Sequence, residues 1–410
     1  LAALLDATGG YDGYDTVKWC SSQPWSSGKV GMYGASYVGA VQWLAAASGV
    51  PSLKAIAPFV TAANYYNEWY YRNGALQLSF VEAWCFDSFA ATELLRRGRK
   101  KEAEKILEVA DALDEQVFNY IPVKKLPYLK GSSDFFYDWI SHPSQDAYWE
   151  KINLERYHAR IKIPALNIGG WYDIFQQGTI NNYLGMMRRG RTKQSRQQKL
   201  VMGPWMHWGR APWMNKLVGE LDFGHHASWE GVDMEGYVLR WYDHWLKGEE
   251  NGVGEERPVR IFVMGENVWR DEKEWPLART RYRKYFMRGG GSANSVEGDG
   301  WLSEKPPKDE PSDRFVYDPM NPVPTKGGLL CCNHTFNPGG PYDQSEIESR
   351  MDVLVYSTPR LERNTEVTGP VVGKLFASSM AVDTDFTAKL EDVWPCGAAM
   401  LLTDGIDRAR

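Results

Sequence analysis

The sequence predicts an α/β protein: a mostly parallel sheet layered with helices, interrupted by a helical insertion and followed by an all-β domain of sandwich or jelly-roll type. Three observations predict it. Strand and helix patterns alternate over 12–58 and again over 163–247, which is the grammar of βαβ units. Between them, 64–158 is rich in aromatic and charged residues, with helix-period patterning and no alternating strand signal. Beyond about 256, short β runs recur between Gly and Pro turns. At roughly 150 residues per domain, the 410 residues divide into an α/β domain (1–63 and 159–255), a helical cap inserted at 64–158, and a C-terminal β domain at 256–410.

Each element has a local reason. Residues 13–20 carry mixed helical patterning, broken by Gln23-Pro24-Trp25-Ser26-Ser27-Gly28. Lys29-Val30-Gly31-Met32-Tyr33 reads as a short strand ending at Gly34. The small and apolar run from Tyr37 to Ala47 reads as a helix stopped by Gly49 and Pro51, and 53–58 as the next strand. In the insertion, 93–117 carries a strong helical pattern. Residues 163–170 read as a buried strand, 175–189 as a helix, 199–203 as a strand, and 234–247 as an amphipathic helix ended by Gly248. The β runs expected of the C-terminal domain are 259–263, 282–286, 351–356 and 374–378, with 289–300 a flexible Gly, Ser, Asn and Asp loop.

Composition excludes several classes of function. The net charge is −5 and charged residues make up 24%, which argues against a nucleic-acid-binding surface. No apolar run reaches the ~18 residues of a membrane span. The 18 Trp, 22 Tyr and 15 Phe fill cores before they line clefts. Five Cys do not make a disulfide framework, which favours the cytoplasm. Adjacent Cys331 and Cys332 rarely bridge, and a metal reading of these two with His334 lacks the paired ligand spacing. The chain opens on Leu1 without a leader pattern and stops at Arg408-Ala409-Arg410, so both ends read as cut.

The sharpest chemical feature is Gly34-Ala35-Ser36-Tyr37-Val38-Gly39. Ser36 falls where a strand turns abruptly into a helix, the setting of a nucleophile elbow in an α/β-hydrolase core. The second Gly comes three residues after the Ser rather than two, so a glycine-rich turn with a helix-capping Ser is the plain alternative. A serine hydroxyl needs a base, and the base an orienting acid. In α/β-hydrolases these follow in the order Ser, Asp or Glu, His. The strand at 165–170 runs into Trp171-Tyr172-Asp173, and the strand at 199–203 into Pro204-Trp205-Met206-His207. Both loops should open at the carboxyl edge of the sheet beside Ser36. Taken alone, His207 reads as a packed structural histidine and Asp173 as a helix cap; taken in order, the three read as a triad. The other His residues lie in the insertion, in loops, in a helix or in the β domain.

These three segments resemble the signature segments of the CocE/NonD hydrolases, a family of esterases and acylases with X-Pro dipeptidyl-peptidases as more distant members. Gln23-Pro24-Trp25-Ser26-Ser27-Gly28-Lys29-Val30-Gly31, His244-Trp245-Leu246-Lys247-Gly248 and Val263-Met264-Gly265-Glu266-Asn267-Val268-Trp269 match as well. The resemblance implies an α/β-hydrolase core, an inserted helical cap and a C-terminal jelly roll. It maps Ser36 as nucleophile, Asp173 as orienting acid and His207 as base, with the backbone N–H of Tyr37 as one oxyanion donor. Members carry further N-terminal strands and a Tyr hydroxyl as second donor; neither has a counterpart before residue 12, which makes the chain a fragment whose activity alone is in question.

The expected reaction is acyl transfer to water on a small-molecule ester or amide, with no metal and no organic cofactor. Ile174, Phe175 and Gln176 stand where amino-ester hydrolases carry acidic residues for the substrate ammonium, which favours uncharged acyl groups. Trp171 and Tyr172 are the expected walls of an acyl pocket, closed by the cap aromatics Trp69, Tyr70, Tyr71 and Trp84. An X-Pro dipeptidyl-peptidase is the alternative within enzymes; a carbohydrate- or protein-binding protein on a decayed hydrolase core is the alternative outside them. No nucleic-acid or membrane partner is expected, and a homo-oligomer is left open.

Overall fold

The computed structural model describes residues 7–207, 215–332 and 338–409. A six-stranded sheet organises it: β1 (Val30–Ala35), β2 (Leu53–Phe59), β3 (Leu166–Tyr172), β4 (Lys199–Met206), β5 (Val259–Val263) and β6 (Val268–Glu272), lying side by side in chain order. The first five pair in parallel and β6 returns antiparallel to β5. Helix α1 (Ala7–Ser22) precedes the sheet, α2 (Ser36–Ser48) links β1 to β2, α3 (Gln176–Arg189) links β3 to β4, and α4 (Met234–Tyr242) precedes β5.

The strands are nearly continuous apolar runs because helices cover both faces. Side chains alternate between faces along each strand. Thus Leu200, Met202 and Ile261 pack under Ile180 and Tyr183 of α3. Val201, Leu166, Ile168, Ala55 and Ala57 face the other way, onto Met234, Tyr237, Val238 and Trp241 of α4. Ala-rich α2 is buried along Gly39, Ala40 and Gln42 to Ala46, and ends at Gly49 in the left-handed conformation (φ 75°).

Between β2 and β3 the chain forms short helices, among them Leu78–Trp84, Lys100–Ala110 and Phe135–Ser141. The 93–117 pattern is split where Arg97 and Gly98 end one helix before Lys100 opens the next; Gly98 sits at φ 73°. This region also holds a small hairpin, Tyr71–Arg72 with Ala75–Leu76, that no alternating pattern announced. Its aromatics are core: Trp69, Trp139 and Trp149 are buried, Tyr70 stacks on Trp139 at 3.9 Å between centroids, and Trp69 on Phe175 at 4.4 Å.

The C-terminal β region differs from expectation in three places. Val259–Val263, expected to open a separate β domain at 256, is instead the fifth strand of the central sheet, because Leu200, Val201 and Met202 pair with Val259, Arg260 and Ile261. The runs at 351–356 and 374–378 form no regular strand: Leu354 makes only an isolated bridge to Asn294, and Phe376 is 88% exposed, so no apolar face is buried to hold 374–378. The regular β structure lies in hairpins, Phe286–Arg288 with Trp301–Ser303 and β7 (Thr384–Val393) with β8 (Ala399–Ala409). The 289–300 loop is stapled rather than free, since the Gly290 and Ser292 N–H groups donate to the Asp299 carboxylate.

Candidate active site

The site forms where β1, β3 and β4 end. At the end of β1, Gly34 has φ 143° and Ser36 has φ 57°, a left-handed conformation that is strained for a residue with a side chain. A Cβ on Gly34 would fall 2.6 Å from Val38 Cγ2, and one on Gly39 would fall 2.9 Å from the Phe59 carbonyl oxygen. Hence the spacing of the two glycines: the first frees the turn, and the second lets α2 lie directly on β2. The helix is capped by Ala35, without a side-chain hydrogen bond, so Ser36 is not a capping serine. Its Oγ lies 2.9 Å from His207 Nε2.

His207 follows β4, and its Nδ1 lies 2.8 Å from Asp173 Oδ2. Imidazole and carboxylate are both buried, with 1% and 0% of the residue exposed. A carboxylate accepts only, so Nδ1 carries the hydrogen and Nε2 presents its lone pair to the Ser36 hydroxyl. The other oxygen, Asp173 Oδ1, accepts from the Phe175 N–H at 2.6 Å. That bond closes a turn ahead of α3, whose N-cap is Phe175 without a side-chain hydrogen bond, so Asp173 shapes the loop and orients the imidazole but does not cap the helix. Phe175 meets the His207 ring edge-on at 5.0 Å, and Trp69 stacks behind Phe175, so the cap holds the imidazole in place from above.

The expected pocket residues separate. Trp69 and Trp84 line an apolar pocket with Tyr37, Leu44, Tyr65 and Tyr70, set against the α2 face that begins one residue after Ser36. Burial pushes the Tyr37 hydroxyl up to about 12. Trp171 and Tyr172 are not part of it. The Trp171 indole donates to the Phe262 carbonyl and its ring lies 5.6 Å from that of Trp275, at the β5 side of the sheet. Tyr172 is buried and donates to the Leu401 carbonyl. Adjacent strand residues point to opposite faces, and here both faces beside Asp173 are already filled.

Two other buried groups sit in the cap. Glu68 accepts from the Ala63 and Asn64 N–H groups and from Asn181, which ties the end of β2 to α3; burial still raises its carboxyl to about 7. Among the described residues Glu82 has no hydrogen-bond partner for either oxygen, and burial raises it to about 8. His158 is structural. Asn182 and Arg189 hold its two ring nitrogens, and burial lowers it to about 4.

Sequence reasoning missed one neighbour of the triad. Cys331 and Cys332 are joined as a disulfide, against the expectation that adjacent cysteines stay apart. Cys332 takes a left-handed φ of 68°, which lets both sulfurs project to one side. These sulfurs and a His207 ring nitrogen all lie within 4.8 Å of one another. No local spacing could have announced it, because the histidine lies far earlier in the chain. His334, weighed with this pair, lies outside the described residues.

A serine, a histidine and a buried carboxylate in relay above the carboxyl edge of a parallel sheet define a serine hydrolase of the α/β-hydrolase class. Residues 3–209 match the family described as X-Pro dipeptidyl-peptidase (S15 family), and residues 251–410 its C-terminal non-catalytic domain. The chain belongs to that S15 family, and so to the CocE/NonD hydrolases its motifs resemble. It is 37% identical to the cocaine esterase of Rhodococcus sp. (strain MB1 Bresler) over 409 residues, covering 97% of this chain and 68% of the esterase. In solved structures it resembles an aminopeptidase from a Thaumarchaeota archaeon of marine sediment (TM-score 0.72, 24% identity, 98% of this chain and 65% of that one). It also resembles an α-amino acid ester hydrolase (TM-score 0.71, 24% identity, 98% and 66%). The chain thus spans about two thirds of the length of these relatives.

Proposed function

We propose that this site hydrolyses esters of uncharged acyl groups, with Ser36 as nucleophile, His207 as base and Asp173 as orienting acid. The observation that carries the reading is the continuous relay, 2.9 Å from Ser36 Oγ to His207 Nε2 and 2.8 Å from Nδ1 to Asp173. In the first half-reaction Ser36 Oγ attacks the ester carbon while Nε2 takes its proton. Asp173 supports the imidazolium that forms. The Tyr37 N–H, in the first turn of α2 where N–H groups lack intrahelical partners, donates to the carbonyl oxygen as it becomes an oxyanion, a contact worth about 3 kcal/mol. Nε2 then protonates the departing alcohol. In the second half-reaction water attacks the acyl-serine, again with His207 as base, and acid and free Ser36 result.

Ile174, Phe175 and Gln176 follow Asp173 without a carboxylate to hold a substrate ammonium, which supports an uncharged acyl group. The test is a panel of p-nitrophenyl esters run against X-Pro anilides, with covalent capture by a fluorophosphonate. Ester turnover and labelling, both lost in Ser36→Ala, are expected. Faster cleavage of X-Pro anilides would move the assignment to dipeptide release, and no label on a folded protein would end the hydrolase reading.

A further inference from the structure

The segment 327–332 is built against the triad. Leu330 forms a parallel bridge with Asp173 itself, Gly328 bridges Gly340, and the Leu329 N–H donates to Asp404 Oδ2. Cys331 is 4% exposed. Cys332 is held in a left-handed backbone conformation (φ 68°) that is strained for a residue with a side chain, and such strain persists only where surrounding structure enforces it. The result is two sulfurs and one imidazole nitrogen converging within 4.8 Å, on the residue whose lone pair the reaction needs.

We infer that reduced Cys331 and Cys332, together with His207, form a three-ligand site for a thiophilic divalent cation, zinc or cadmium, that switches the hydrolase off. Two thiolates and an imidazole are soft and borderline ligands, a set that selects zinc-like ions over magnesium or calcium. Tetrahedral zinc, with bonds of about 2.3 Å to sulfur and about 2.0 Å to nitrogen, holds its ligand atoms roughly 3.5–3.8 Å apart. Reduction frees the two bonded sulfurs to move apart to that spacing, and the imidazole nitrogen, already within 4.8 Å of both, closes on the cation between them, with water in the fourth position. A cation on either ring nitrogen breaks the relay: at Nε2 it takes the lone pair that would receive the Ser36 proton, and at Nδ1 it displaces Asp173.

The oxidised pair offers no thiolate, so the site is redox-gated. A phosphine and water reduce the disulfide to two thiols and a phosphine oxide. The thiols then lose two protons as the cation binds, and His207 contributes a lone pair. Binding stands on the geometry alone, whereas inhibition rests on the serine-hydrolase reading.

The experiment therefore reads binding and activity separately. Phosphine-reduced protein is titrated with cadmium, and the thiolate-to-metal charge-transfer band is followed. The band is expected in reduced wild type and in Ser36→Ala. In oxidised protein and in folded Cys331→Ser/Cys332→Ser, with Cys331→Ala/Cys332→Ala as the second double variant, only the weaker background of the free thiols Cys20, Cys85 and Cys396 is expected. His207→Ala should weaken binding by on the order of 10–100-fold. In parallel, zinc should inhibit ester turnover of the reduced wild type reversibly, with release by a chelator, and leave the double variant active. Equal cadmium affinity in wild type and His207→Ala, or equal zinc inhibition of wild type and a double variant, would overturn the proposal.

Discussion

Ser36 holds a left-handed backbone although it carries a side chain, and that conformation aims its hydroxyl at His207 instead of at the helix N–H groups it would otherwise cap. Asp173 divides its work between His207 and the Phe175 N–H, which separates tautomer control from loop geometry. Asp173→Asn retains an oxygen acceptor for Phe175 but can donate to Nδ1, which puts the imidazole in the wrong tautomer. Turnover should drop about 10⁴-fold with melting nearly unchanged; a large loss of stability would show that the carboxylate acts mainly in folding. Glu82 makes the opposite kind of statement. Its carboxyl, raised by burial from 4.5 to about 8, stays protonated in the fold where the unfolded chain would ionise. Its contribution to stability is therefore complete below about 4.5 and is lost as pH rises to about 8, at roughly 1.4 kcal/mol per unit. Glu68 and Glu391 carry the same sign, so the difference between wild type and Glu82→Gln is the quantity to measure. Denaturant unfolding from pH 5 to 8 should show a steeper decline in wild type than in the variant, and parallel curves would rule out a buried protonated Glu82.

At the scale of elements, α2 is the part on which the elbow depends. Replacing Gly by Ala inside a helix ordinarily adds about 1 kcal/mol of stability. Gly39 should invert that rule, because its new Cβ would stand 2.9 Å from the Phe59 carbonyl and 3.1 Å from Thr61 Cβ. Gly39→Ala is expected to lose about 1–3 kcal/mol and to slow turnover by pushing Ser36 away from Nε2. A melt at or above wild type would mean that α2 does not rest on β2 at this point. The same element shows what was legible in the sequence. Strand, sharp turn and small-residue helix are local patterns, and the order of Ser36, Asp173 and His207 follows from where strands end, so both could be read without coordinates. Trp171 and Tyr172 lie apart from the apolar pocket beside Tyr37 because position beside Asp173 says nothing about side-chain direction, which β3 sets by alternation. That Val259–Val263 extends the central sheet could not be read, because an isolated apolar run does not name its partner, and β4 supplied one. The Cys331–Cys332 contact with His207 arises entirely from long-range packing.

At the scale of the whole molecule, β8 is the tie between the three parts of the chain. Leu401 accepts from Tyr172 of the central sheet. Asp404 pairs with Arg72 of the cap hairpin at 2.9 Å, its carbonyl accepts a second Arg72 N–H, and its other carboxylate oxygen takes the Leu329 N–H. Asn73 donates to Ile406 and accepts from the Arg408 N–H. One aspartate thus holds both the cap and the cysteine loop, which makes the two functions separable by choice of partner. Arg72→Ala removes only the cap contact, while Asp404→Ala also frees the Leu329 N–H and the segment that leads to Cys331. Both should cost about 1–3 kcal/mol of stability. Only Asp404→Ala should speed reduction of the Cys331–Cys332 disulfide by a phosphine and the alkylation that follows, because only there is the loop released from its anchor. Equal reduction rates in the two variants would show that the loop is held by its Asp173 bridge and the core around Cys331, and that β8 secures the cap alone.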